Sequence, residues 1–445
     1  MTVHHGSSAT TEDTESRTRV TAGHATGIMA ASVTAAASSL LITVISARTL
    51  TVAQNKEFLV FWGFMFGIFG VISGIQTEST RAALAGRKTA AEPAEPAESA
   101  EPAGPPGPAA PARRRARILA TALLLGLVIA ALTLLTAPAW VPSLTPSTGP
   151  LTAALIAAGV WGYAGQASLS GVLAGTRRWN LYSALMAAEA LLRLLLTLLV
   201  AVVVSSLIGL EAAAAAPALV WLLFLIIPAA RALAGSRADV GAARLTSFSL
   251  QAMLSSASWA VLVTGFPTLL EITSPGADAA EVAIVILAVS LTRSPIMIPL
   301  QAFQGVLITT IADTEPSRRL AGVTRILGTL LAGGTVLAAA AALAGPWLVR
   351  TVYGPRYDPS PWLLGLLTLA AVSMASLVLT GASTIALNNH RAYTLGWVLA
   401  ALTAVLLLWL LPLNVSPRAV LALGLAPLSG ICVHLRAIVS AGGGR

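Results

Sequence analysis

Charged side chains are scarce in this chain: Asp, Glu, Lys and Arg make up 10% of its 445 residues, against roughly a quarter in soluble domains. Together with 56% hydrophobic residues and a mean hydropathy of +0.81, that scarcity excludes a water-soluble domain of this length. Cysteine is nearly absent, and the single Cys432 excludes both an intramolecular disulfide and a Cys-x-x-Cys metal site. The five histidines, His4, His5, His24, His390 and His434, show no metal-ligand spacing. No Gly-x-x-x-x-Gly-Lys-Ser/Thr word occurs, which excludes nucleotide hydrolysis through a P-loop. The loops assigned to the outer side below are all short. A membrane glycosyltransferase, polymerase or ligase would need a larger one to present its acidic or basic catalytic residues. Neither enzymatic activity nor a cofactor is expected.

What is present is a succession of apolar runs, each long enough to cross about 30 Å at 1.5 Å per residue. They lie at 28–47, 58–80, 118–139, 151–174, 181–208, 213–234, 247–270, 281–311, 322–349, 362–386, 392–412 and 418–439. Twelve spans imply an all-α polytopic membrane protein, because in lipid every backbone group must be satisfied within the segment. The net charge of +9 is then a topology signal, and no nucleic-acid partner is expected. Most of the 27 basic residues fall on one side, leaving Arg48, Lys56, Arg350, Arg356 and Arg418 on the other. The positive-inside rule puts both termini in the cytoplasm and the chain in the cytoplasmic membrane. Residues 1–27 are polar and unlike a cleavable signal, and are expected to be a disordered cytoplasmic tail. An N-terminal lobe of six spans is expected over 28–234, a linker over 235–246, a C-terminal lobe of six over 247–439, and a short cytoplasmic tail over 440–445. The loop 85–117 stands apart, with its Pro/Ala/Glu tract and the basic cluster Arg113, Arg114, Arg115 and Arg117. It is expected to be disordered or polyproline-like, its arginines meeting anionic lipid headgroups.

The few charges inside spans are the candidate functional groups. Arg293 lies near the middle of the run 281–311, followed by Ser294-Pro295, too deep to snorkel easily. A guanidinium there costs about 2.5–3.5 kcal/mol on insertion scales, so a wet cavity or a partner is expected beside it. Pro295 lacks the N–H for the preceding turn and is the expected kink or hinge. The competing reading is an arginine that pairs with a neighbouring helix for architecture alone. Glu189 and Arg193 are four residues apart and share a helix face, fit either to neutralise one another or to line a cavity. Glu78 and Arg81 are three apart at the end of the second run, as an interfacial pair or a substrate contact. Gln301, with Gln76, Gln166, Gln251 and Gln304, could line a polar path or bond between helices. Trp161, Tyr163, Trp179 and Tyr182 read as interfacial anchors rather than sugar platforms.

The halves echo each other. Thr80-Arg81 in span two faces Thr292-Arg293 in span eight, and Gly171 to Tyr182 joins spans four and five as Gly381 to Tyr393 joins spans ten and eleven. A duplication of six spans would relate two bundles by a pseudo-two-fold axis along the membrane normal, with a substrate path between them.

At this point the residues resemble a family. Ile42-Thr-Val-Ile-Ser-Ala-Arg48-Thr-Leu, Gly171-Val-Leu-Ala-Gly-Thr-Arg-Arg-Trp179, Leu291-Thr-Arg-Ser-Pro295 and Tyr353-Gly-Pro-Arg-Tyr357 are similar to polysaccharide flippases of the MOP superfamily, in an actinobacterial style. The resemblance implies a flippase for lipid-pyrophosphate-linked oligosaccharide precursors of the cell envelope, with a V-shaped cavity between the lobes and no cofactor. Its expected partners are the lipid-linked saccharide, membrane lipids and envelope-synthesis enzymes. Arginine suits a pyrophosphate because its planar fork gives bidentate, charge-assisted bonds. The expected substrate-binding residues are Arg293, Arg193, Arg81, Glu189, Glu78 and Gln301. Two alternatives stand beside this reading. A cation-coupled small-molecule exporter of the superfamily should need an intramembrane carboxylate, for which Glu189 and Glu78 are the candidates, each beside an arginine. A non-transporting scaffold for envelope enzymes would use the Pro-rich loop and fail on deletion of residues 89–111.

Overall fold

The computed structural model describes residues 22–91, 115–313, 316–387 and 389–443. The first lobe contains α1 (Ala22–Thr49), α2 (Val52–Ala91), α3 (Ile118–Leu135), α4 (Ala137–Leu144), α5 (Gly149–Gly175), α6 (Trp179–Val203) and α7 (Leu207–Ala215). A 3-10 turn, Ala216–Leu219, carries α7 into α8 (Trp221–Phe224), which is followed by α9 (Pro228–Ala234). The second lobe contains α10 (Ala242–Val263), α11 (Phe266–Ile272), α12 (Ala279–Asp313), α13 (Pro316–Tyr353), α14 (Pro361–Ala386), α15 (His390–Leu410) and α16 (Val415–Gly443). Among the described residues the only β pairing is an isolated antiparallel bridge between Arg117 and Arg237.

The molecule is all-α, with twelve transmembrane helices in two six-helix bundles. Among the described residues ten helices are long and apolar enough to cross a bilayer, and α10 with α11 forms an eleventh span bent by 68°. The twelfth is α5, whose 27 residues are rich in glycine, alanine and serine and mostly buried. Small residues lower its apolarity but let neighbours approach closely, which is what a central membrane helix needs. Its counterpart six spans later, α14, is likewise buried at the centre of its bundle. The pairings repeat with the same offset: α2 packs on α5 as α12 packs on α14, and α3 on α5 as α13 on α14. Outward-facing leucines and valines, such as Leu124, Leu127, Leu195, Val202, Val336 and Leu343, are exposed in a band that lipid would cover.

Several boundaries differ from the sequence expectation. Helix α1 begins at Ala22, inside the expected 1–27 tail. Helix α2 runs on to Ala91, into the expected 85–117 loop, whose residues 92–114 lie outside the described residues. The expected 235–246 linker is packed on the first lobe: Ala238 N donates to Ala116 O at 2.8 Å and Ala116 N to Val240 O at 3.0 Å. Within that stretch α10 already begins at Ala242. Helix α16 reaches Gly443, within the expected 440–445 tail. The sixth span begins at Leu207 rather than near 213, because the carboxylate of Glu211 is buried inside the span and does not mark a loop.

The lobes are tied at one end. Arg48 donates from Nε to Val352 O at 2.9 Å and also to Thr351 O. Asn55 Nδ2 donates to the Tyr357 hydroxyl at 2.9 Å, and Lys56 pairs with Glu271 at 2.5 Å. A shared core joins Ala47, Leu59 and Val60 of the first lobe to Phe266, Leu270 and Val285 of the second. Away from that end the cores separate into one for each lobe, with Met253 of α10 reaching into that of the first. Contact there continues along one seam, where the α2 glycines Gly63, Gly67, Gly70 and Gly74 face Pro267, Gly265, Ala260 and Met253.

Candidate functional site

Below the tied end the lobes enclose a cavity of about 1050 Å³. Its lining runs from Thr43, Leu59 and Pro267 to Thr77, Ala252 and Tyr393 near the opposite end. The walls come from α1 and α2 on one side and α10, α11 and α12 on the other, with Val378 of α14 and Tyr393 and Trp397 of α15.

Among the described residues lining this cavity Arg293 is the only charged one, and it takes part in none of the ion pairs of the described residues. One N–H of its Nη1 donates to Val263 O at 2.8 Å. The local sequence explains that bond. The helical donor four residues beyond Val263 would be residue 267, which is proline and has no N–H. The break between α10 and α11 therefore leaves a carbonyl free at membrane depth, where an unsatisfied group is costly. Arg293 fills it and keeps its other N–H donors for the cavity.

Hydroxyls and rings share the rest of the wall with aliphatic side chains such as Leu40, Leu59, Ile286 and Met297. Ser255, Ser256, Thr264, Ser290 and Ser294 all line it. Each donates to a carbonyl of its own helix, at 3.1, 3.1, 3.0, 3.1 and 2.7 Å. Their protons are thus used within the helix, and their lone pairs remain to accept hydrogen bonds from the cavity. Trp62, Phe66, Trp259, Trp397 and Tyr393 supply aromatic surface. Behind Tyr393, the buried His434 approaches the Tyr393 carbonyl at 3.3 Å and the Thr380 hydroxyl at 3.0 Å.

The other expected site residues are placed elsewhere. Arg193 is buried between α6, α7 and α2: it pairs with Glu189, donates to Ala214 O at 2.9 Å, and lies 5.0 Å above the Phe66 ring. Phe66 lines the cavity, whereas Arg193 and Glu189 do not. Arg81 is bound by Glu78 at 2.7 Å and Asp239 at 3.1 Å and lies over the Phe248 ring, also off the cavity. The Arg81 guanidinium holds the Asp239 carboxyl below the usual carboxylate range. Gln76 donates to the Tyr182 hydroxyl at 3.3 Å, and the side chain of Gln301 lies outside the described residues. Helix α12 is continuous through Pro295, and the recorded sharp bend is the one before Pro267. Thr80-Arg81 and Thr292-Arg293 are not equivalent positions, since Arg81 lies in the last turns before Ala91 while Arg293 lies before the middle of α12. The second echo does correspond to matching turns, α5 to α6 and α14 to α15.

Sequence reasoning missed two features. One is the cavity's aromatic set, Trp62, Trp259 and Trp397, which only their lobe-facing positions single out. The other is a pair of buried carboxylates in the first lobe. Glu57 accepts from Ser147 N at 2.8 Å and Glu211 from the Thr152 hydroxyl at 2.5 Å, and the Thr148 hydroxyl lies 3.4 Å from an oxygen of each. Neither has an ion-pair partner among the described residues, so Glu189 and Glu78 are not the only intramembrane carboxylates. The signal for Glu211 was its place between apolar runs with too few residues around it to form a loop.

No family model matches the chain. Two proteins of Mycobacterium tuberculosis H37Rv are similar to it: Uncharacterized protein Rv1510 is 39% identical over 330 residues, 74% of this chain and 75% of that protein. Uncharacterized protein Rv3630 is 40% identical over 306 residues, 68% of this chain and 70% of that protein. Among solved structures, the inward-facing conformation of a multidrug resistance MATE family transporter of the MOP superfamily superposes with a TM-score of 0.66 at 15% identity, covering 91% of this chain and 95% of that one. The lipid II flippase MurJ, in an inward closed conformation, gives 0.67 at 11% identity over 93% and 89%. A MOP superfamily transporter from Pyrococcus furiosus, described by the reverse polarity of its binding pocket, gives 0.58 at 13% over 94% and 96%. The chain is a multi-pass membrane protein with the MOP-superfamily transporter fold, and it belongs to the family of the mycobacterial proteins Rv1510 and Rv3630.

Proposed function

We propose that this protein is a flippase that moves a lipid-linked saccharide precursor of the cell envelope across the cytoplasmic membrane by alternating access. The carrying observation is Arg293: one guanidinium, with free donors and no carboxylate beside it among the described residues, in the wall of a cavity otherwise lined by hydroxyls, aromatic rings and aliphatic side chains. An anionic link would sit on the arginine, sugar hydroxyls on the serines and threonines, and the lipid tail in the bilayer outside the gap between lobes. With the termini in the cytoplasm, as the charge distribution favours, the tied end faces outward and the cavity is loaded from the inner leaflet.

Depletion of the protein should cause one lipid-linked saccharide to accumulate on the inner leaflet. Complementation with Arg293→Ala should fail, and Arg293→Lys should restore little, because an ammonium lacks the planar fork. Absence of any accumulated precursor, or full activity of both variants, rejects the proposal.

One observation favours a second reading, cation-coupled export of a small molecule: the buried Glu57 and Glu211 have no cationic partner among the described residues. They lie off the cavity and could serve coupling in either reading. Transport that follows an imposed proton or sodium gradient but leaves lipid-linked saccharides undisturbed would select the exporter.

A further inference from the structure

We propose that the headgroup accepted by this cavity carries a single anionic charge, a phosphodiester joining a lipid to a polyhydroxy group, rather than the doubly charged pyrophosphate that the family resemblance implies. The inference rests on the flippase reading above and narrows its substrate class.

Charge inventory is the first ground. Arg293 is the only cation among the described lining residues, so it balances one negative charge. A second would stand in a partly desolvated space without a partner, where charge is costly.

The second ground is the direction of the hydrogen bonds. One N–H of Arg293 is held by Val263 O, and the remaining face of the planar fork matches the two unesterified oxygens of one phosphate. A second phosphate would need further donors. The nearest hydroxyls on the same helix, Ser290 and Ser294, donate instead to Ile286 O and Ser290 O. Thr264, across the cavity, donates to Ala260 O. These side chains present lone pairs, which repel phosphate oxygens and accept from sugar O–H groups. Around Arg293 the wall is therefore matched to one phosphate beside a hydroxyl-rich group, while the donors of Trp62, Trp259, Trp397 and Tyr393 belong to other parts of the lining, where rings can meet sugar C–H bonds.

A singly charged phosphodiester of this kind occurs both in polyprenyl-phosphoryl sugars and in inositol phospholipids, and binding can separate the two. The full chain, reconstituted in phosphatidylcholine nanodiscs, would be titrated with polyprenyl-phosphoryl mannose, polyprenyl-pyrophosphoryl mannose and phosphatidylinositol while tryptophan fluorescence is followed. At least one of the two phosphodiesters should bind about tenfold or more tighter than the pyrophosphate, the scale of one uncompensated charge near a protein surface. Which of them binds tighter names the lipid.

Because Arg293→Ala also frees the Val263 carbonyl and can unfold the chain, the decisive variant is Ser290→Arg. It adds a second cation about one turn away on the same helix face and should narrow the gap between pyrophosphate and phosphodiester about tenfold. A pyrophosphate that binds the wild type as tightly as the phosphodiesters, or a gap that Ser290→Arg leaves unchanged, overturns the single-charge inference while the flippase reading stands. No binding of any of the three overturns both.

Discussion

Alanine substitutions along the α2 glycine seam should differ sharply in cost, and the structure ranks them. A methyl group added at Gly74 would lie 2.3 Å from Met253 N and 2.4 Å from Ala252 C. Both are backbone atoms of α10, so no side-chain rotation relieves the clash. Ordinary contact is about 3.5–4.0 Å, which means that α10 itself must move by on the order of 1 Å. Overpacking of this kind costs about 1–3 kcal/mol, against a gain of about 1 kcal/mol or less from replacing glycine by alanine in a helix. At Gly70 the added methyl meets Ala260 Cβ at 2.7 Å, and at Gly67 its nearest neighbour is Gly265 Cα at 3.4 Å. Gly67→Ala should therefore leave stability unchanged or raised, Gly70→Ala should lower it, and Gly74→Ala should lower it most. Thermal unfolding of the purified variants in one detergent, followed by tryptophan fluorescence, measures the series. Equal shifts at all three positions, or Gly67→Ala below Gly74→Ala, would refute close backbone contact between the lobes along this line.

Two further expectations concern the first lobe. Around Glu211 and Glu57, two hydroxyl protons, from Thr148 and Thr152, face four oxygen contacts, two at 3.4 Å from Thr148, one of 2.6 Å between the hydroxyls themselves and one of 2.5 Å from Thr152 to Glu211. An amide in place of the Glu211 carboxylate brings donors of its own, so Glu211→Gln should retain wild-type thermal stability. Glu211→Ala should lose about 1–3 kcal/mol by leaving buried hydroxyls without their acceptor, and equal losses in both variants would count against the network. The tie between Arg81 and Asp239 sets a pH dependence. Hydrogen bonding to Arg81 depresses the Asp239 pKa, so the tie contributes fully above the ordinary carboxylate range and fades as pH falls through the folded-state value. The unfolding-temperature difference between wild type and Asp239→Asn should hold from neutral pH to about pH 5 and shrink below about pH 4. A difference that persists undiminished at pH 3 would remove Asp239 from the pair.

The span pattern was legible because lipid imposes it: a chain with so little charge and such long apolar runs has no other way to satisfy its backbone. Where the reading slipped, it slipped on charge. Glu211 falls in the gap between the expected spans 181–208 and 213–234, yet Thr148 and Thr152, far away in sequence, make its burial tolerable. Arg193 and Arg81 looked like Arg293 in composition alone, since each is an arginine in or beside an apolar run. What separates them is the direction each side chain takes and the acceptors it meets. Arg193 is taken up by Glu189 and the Ala214 carbonyl, and Arg81 by Glu78 and Asp239. Arg293 meets only one carbonyl.

The sequence by itself determined the class, the twelve spans and the presence of one costly guanidinium at depth, because hydropathy and the cost of charge act locally along the chain. The tertiary structure alone decided that Arg293 opens on a cavity while Arg193 and Arg81 are neutralised, and that the hydroxyls of Ser255, Ser256, Thr264, Ser290 and Ser294 line that cavity with their protons already bound. Those facts depend on which helices lie side by side. The carbonyl that orients Arg293 is freed by Pro267, a residue of another span, and no periodicity along a single run encodes that meeting.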